Sequence, residues 1–116
     1  MKKTSYDFLE PDESIVMEGN ANMHQLLGIT KGGTLILTDR RLVFLAHALN
    51  FGRKFDEIPF SMIAVSGNEL NILVPTSNMI KVVTRDGKKY EFIVVRKQKE
   101  EWKQKISELV RDYRAS

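Results

Sequence analysis

A chain of 116 residues with 42% hydrophobic and 28% charged side chains has an ordinary globular composition; it is about one domain in length, can bury a single core, and is neither disordered nor fibrous. The absence of cysteine excludes disulfides, thiolate nucleophiles and cysteine-ligated zinc, and the only imidazoles, His24 and His47, stand far apart in sequence. The net charge of +3 is too small to demand nucleic acid or a membrane, but it is unevenly spread: acids dominate the first thirty residues and cations crowd from Lys81 to Lys105.

The N-terminus carries acids where a signal peptide needs an apolar run, and no stretch approaches a membrane span, so a cytosolic chain is expected. From Ser14 to Met23 apolar and polar residues alternate, which predicts a first strand with one buried face. Met23 to Gly33 reads as a loop holding Leu26, Leu27 and Ile29 and ending in a tight turn at Gly32-Gly33. Thr34–Thr38 and Arg41–Ala46 are β-rich runs around Asp39-Arg40, the commonest hairpin loop length. Asn50-Phe51-Gly52 is a turn, residues 53–58 a short strand stopped by Pro59, and Phe60–Ile63 a helical turn. Short strands follow at residues 64–66 and 70–74. Residues 79–84 and 89–95 then form a hairpin around Asp86-Gly87, the strongest short turn signal in the chain.

After Arg96 the period changes from 2 to 3.6. Trp102, Ile106, Leu109, Val110 and Tyr113 fall on one face of a closing helix, and Lys and Glu fill the others. Seven or eight antiparallel strands and one terminal helix exclude a βαβ fold. The economical architecture is mainly β: a bent antiparallel sandwich or partly open barrel capped by the C-terminal helix. One domain spans residues 14–114, with residues 1–13 as an extension.

The run Gly33-Thr34-Leu35-Ile36-Leu37-Thr38-Asp39-Arg40-Arg41-Leu42-Val43-Phe44-Leu45 resembles the core signature of GRAM and bacterial pleckstrin-homology-like domains. The likeness continues through Phe55–Ile63, the Asp86-Gly87 hairpin and the closing helix. It implies a seven-stranded bent sandwich with a helix across one end, and a binding module for lipid headgroups or proteins.

Nothing in the sequence is poised for bond chemistry: there is no Gly-x-Ser-x-Gly, no His-Glu-x-x-His, and the Gly32-Gly33-Thr34 run leads into a strand where a P-loop needs a helix. The domain is therefore read as a non-enzymatic module without a cofactor. Arg41 is assigned a structural role, tying the hairpin to nearby carbonyls or to Asp39, whereas Arg40 in the turn is open to phosphate. The headgroup pocket that the resemblance implies would take cations from the first two strands and their loop, where Lys31 is the only one. Leu26, Leu27 and Ile29 either fold back as a lid or form a contact surface with Lys31, and Arg53 and Lys54 are further contact cations. Lys81, Lys88, Lys89, Lys97, Lys99, Lys103 and Lys105 read as a solvated face interleaved with acids. The expected function is weak association with anionic lipid headgroups at a membrane surface. The alternative is docking on a protein partner or on a second copy; nucleic acid ranks third.

Overall fold

The alternation that begins at Ile15 forms a ten-residue strand, β1 (Ile15–His24), which turns Ala21 and Met23 inward and Val16, Glu18, Asn20 and Asn22 outward. In the computed structural model, residues 6–24, 29–47, 55–63, 65, 66, 69, 70, 72–76 and 78–115 are described. The chain continues through β2 (Thr30–Thr38), β3 (Arg41–Ala46), β4 (Asp56–Pro59), β5 (Val65–Ser66), β6 (Glu69–Leu70), β7 (Ile72–Thr76), β8 (Met79–Val83) and β9 (Lys89–Val94) to the helix α1 (Lys99–Ala115). Single helical turns lie at Phe60–Met62 and Arg96–Gln98.

One antiparallel sheet takes the order β4-β3-β2-β1-β9-β8-β7, and β5 and β6 pair as a separate ribbon. β1 is the shared strand. Its whole length pairs with β2, and its last part, from Ala21 to Met23, also pairs with β9. The sheet curls around Leu35, Leu37, Leu42, Phe44, Ile80 and Phe92, and α1 plugs it with Trp102, Ile106 and Val110, all at most 1% exposed. The expected PH-like architecture, a curled antiparallel sheet with a terminal helix, is the observed one.

Several local expectations are corrected. Both described ends of the stretch from Met23 to Gly33 are strand: Asn22 faces Gly32, Met23 faces Lys31 and His24 faces Thr30, while residues 25–28 lie outside the described residues. Gly32 and Gly33 are thus not a turn. A Cβ on Gly33 would stand 2.4 Å from the Leu45 carbonyl oxygen and 2.7 Å from Phe44, so glycine is there because β3 approaches too closely for a side chain. The strand expected at residues 70–74 divides into β6 and β7, and β7 runs through Pro75 to Thr76. It can do so because it is an edge strand, and its pairing with β8 slips between Leu73 and Thr76. The Asp86-Gly87 turn forms as expected: Gly87 takes φ +86°, and the Thr84 hydroxyl donates to Asp86.

Candidate binding surface

Three connections meet at one end of the curled sheet. β1 ends there at His24 and β2 begins at Thr30. On the other side of β1, Met23 faces Phe92, so the start of β9 and the β8–β9 turn project past the end of β1. β4 starts at the same end with Asp56, whose carboxylate lies 3.6 Å from Lys31 Nζ. Lys88 in the β8–β9 turn stands 5.1 Å over the Tyr90 ring. Its ammonium pKa is raised, first by Tyr90 and then by the carboxylates of Asp56 and Asp86. Arg85, Lys88 and Lys89 are exposed, and Ile29 at the same end leaves 59% of its surface in water. Behind them His24 Nδ1 lies 2.8 Å from Glu91 Oε1, and Lys81 approaches the other Glu91 oxygen at 3.9 Å. Such a rim offers exposed cations and an apolar side chain. Leu26, Leu27, Arg53 and Lys54 lie outside the described residues.

Arg40 is at the opposite end, about 25 Å away by the length of β2, so it is not brought together with Ile29 and Lys31. Its guanidinium pairs with Asp12 Oδ1 at 3.1 Å and approaches Asp39 Oδ1 at 3.6 Å. Arg41 is structural, but with other partners than the turn suggests. Its Nε and Nη2 donate to the two oxygens of Glu13 at 2.8 and 2.7 Å, Nη1 donates to Glu57 at 2.8 Å, and Nη2 also donates to the Phe8 carbonyl at 2.7 Å. Thr38 completes the cluster: its hydroxyl donates to Glu13 Oε2 at 2.7 Å and accepts from the backbone N–H groups of Arg40 and Arg41. The bonds from Arg41 hold the Glu13 carboxyl down at about 2 against its burial, and the same bonds raise Arg41. A cleft of about 540 Å³ opens beside the cluster, lined by Glu10, Asp39, Arg40, Arg41, Pro59 and Tyr113. Both guanidiniums have carboxylate partners, Arg41 through Glu13 and Glu57 and Arg40 through the exposed Asp12.

Among the described residues, no group of His, Asp and Glu is arranged to hold a metal ion, and no helix is long and apolar enough to cross a membrane. The lysine-rich stretch is interleaved with acids: Lys81 approaches Glu91 and Lys99 pairs with Glu100 at 3.2 Å. Sequence reasoning missed Glu13 altogether, and with it the segment before β1. Tyr6 donates to Glu18 at 2.6 Å, which pushes the phenol up to about 12, and Phe8 packs on Phe55 with ring centroids 5.1 Å apart.

Curled sheet, shared strand and plugging helix together define a class of fold. The PH domain family matches residues 3–115, and the chain belongs to it. The Vps36 N-terminal PH domain superposes with a TM-score of 0.69 at 10% identity, over 93% of this chain and 86% of that one. The N-terminal PH domain of human ARAP2 gives 0.68 at 15%, over 84% and 80%. The DH/PH fragment of PDZRHOGEF, solved with human RhoA, gives 0.67 at 15%; the match covers 86% of this chain but 29% of that one. At these identities the likeness is one of fold. No curated protein is similar enough in sequence to count as a relative. PH domains are binding modules for lipids or proteins, and the chain is one by membership.

Proposed function

We propose that this domain makes weak, charge-driven contact with an anionic membrane surface through the end of the sheet where Ile29, Lys31 and the β8–β9 turn meet. The observation that carries the reading is Ile29, a large apolar side chain 59% exposed, at the same end as Arg85, Lys88 and Lys89, which are exposed too. An aliphatic side chain enters the acyl boundary while lysines meet phosphates from flexible stems. Leu26, Leu27, Arg53 and Lys54 belong to the same proposed surface by sequence position. The described cations at this end, Arg85, Lys88 and Lys89, are exposed side chains, which favours a headgroup-unspecific contact at the inner face of a membrane by a cytosolic protein. The narrower GRAM likeness, whose core signature is residues 33–45 and which extends over about residues 14–114, supports the same reading. A second reading, docking on a protein or a second copy, is supported by the two sheet edges, β4 and β7.

Cosedimentation with phosphatidylserine vesicles beside phosphatidylcholine vesicles tests the proposal. Binding should need the acidic lipid and fade toward 0.15 M salt, where exposed charges are screened over about 8 Å. Salt-insensitive binding to a single phosphoinositide contradicts it, and association between copies without lipid supports the second reading.

A further inference from the structure

The sheet has a second apolar surface on its outside. Ile36 and Val43 are fully buried, yet they point away from the inner core formed by their neighbours Leu35, Leu37, Leu42 and Phe44. They face each other across β2 and β3, and the same row continues to Glu18 on β1 and Glu57 on β4. The segment before β1 meets residues on both sides of this row. Its Tyr6 is anchored on Glu18 at one side and its Phe8 on Phe55 at the other, with the two rings stacked 5.5 Å apart. The segment is held unevenly. Glu13 is buried in its bonds to Arg41 and Thr38, whereas Tyr6 and Phe8 are half-buried, the Tyr6–Glu18 bond is exposed, and Phe8 is held through its carbonyl by Arg41.

We propose that the groove over Ile36 and Val43 is a docking site for an extended peptide carrying two aromatic residues one position apart, the first a tyrosine, and that Tyr6 and Phe8 are its resident, displaceable occupant. The chemistry is read from that occupant. Glu18 accepts the Tyr6 phenolic hydrogen bond, Phe55 with the Arg41 guanidinium, 5.2 Å from the Phe8 ring, takes the second aromatic, and the buried Ile36 and Val43 lie in the row between these anchors. The Glu13–Arg41 clasp keeps the segment tethered when its aromatic half lifts. This surface is the outer face of the sheet, so the inference stands apart from the membrane reading.

The probe is a capped peptide of residues 5–10, titrated into the full-length chain carrying Tyr6→Ser and Phe8→Ser and followed by methyl chemical shifts. Saturable binding that moves the Ile36 and Val43 methyls is expected. The unaltered chain should bind at least about tenfold more weakly, because its own rings compete at an effective concentration of roughly millimolar. Should the double variant not fold, the Tyr6→Phe chain replaces it; it keeps both rings, loses only the bond to Glu18, and should bind more tightly than the parent. A folded variant that does not bind, shifts away from Ile36 and Val43, or equal binding of a scrambled peptide overturns the proposal. So does a dimer of the unaltered chain whose Ile36 and Val43 shifts change with concentration, since a second copy is then the occupant.

Discussion

Arg41 and Glu13, 28 residues apart in sequence, meet in a two-pronged ion pair with contacts of 2.7 and 2.8 Å, the carboxylate side chain wholly out of water. The pair joins the segment before β1 to the β2–β3 hairpin. Removing Glu13 leaves the largely buried Arg41 with only the half-exposed Glu57 as a carboxylate partner, so Glu13→Ala should cost about 3 kcal/mol, the low end for breaking a buried pair. Urea melts check this; a loss under about 1 kcal/mol would show that the clasp contributes nothing net.

The same carboxylate sets a pH dependence. Its folded pKa, about 2, lies below the ordinary 4.5, so the folded state favours the ionised form. The stabilisation is complete above about pH 5 and is lost as pH falls through 4 toward 2. Urea midpoints at pH 7, 5 and 3 should therefore fall steeply only in the last interval. That fall should be smaller in Glu13→Gln, which has no proton to take up.

Trp102 is wholly buried where α1 meets Gly19, whose Cβ would lie 3.5 Å from the indole. Trp102→Ala should cost about 3 to 5 kcal/mol. The indole N–H has no hydrogen-bond partner, so Trp102→Phe also removes an unpaired donor and should cost less than alanine. Equal losses in denaturant melts would contradict this account of the site.

The two adjacent glycines separate close approach from turn formation. Gly33→Ala forces a Cβ against backbone atoms, 2.4 Å from the Leu45 oxygen, and should cost about 2 kcal/mol or more. Gly32→Ala meets the movable Asn22 side chain at 3.1 Å and His47 at an ordinary 3.9 Å, both side chains, and should stay within about 0.5 kcal/mol of the parent. Thermal melts of the pair test it. Equal losses would mean that the spacing of β2 and β3 does not decide the residue.

What was legible in the sequence is what local chemistry encodes. The Asp86-Gly87 turn, the Asp39-Arg40 hairpin and the 3.6-residue stripe of α1 each declare themselves within a few positions. Gly32-Gly33 misled because a glycine pair serves equally well for a turn and for two backbones in close contact, and only the Leu45 carbonyl across the sheet decides. The clasp was hidden because Glu13 meets Thr38 and Arg41 across 25 and 28 residues. One signal for the covered outer face was present. Leu35-Ile36-Leu37 and Leu42-Val43-Phe44 are apolar at every position, the pattern of strands buried on both faces, so something had to lie over Ile36 and Val43. Of the proposed contact residues, Ile29 and Lys31 came together because the hairpin ends are fixed by register, whereas Arg40 went to the far end of β2.

The central claim is that the Ile29 end, rather than the general basic surplus, meets the membrane. Two charge reversals of equal size separate these: Lys88→Glu with Lys89→Glu in the β8–β9 turn, and Lys103→Glu with Arg111→Glu on the exposed side of α1. Cosedimentation with phosphatidylserine vesicles at low salt should lose most of its binding, about tenfold or more, in the first variant, since each cation near the surface is worth about 1 kcal/mol, and little in the second. Equal losses in the two variants, or full binding by the first, would contradict the claim.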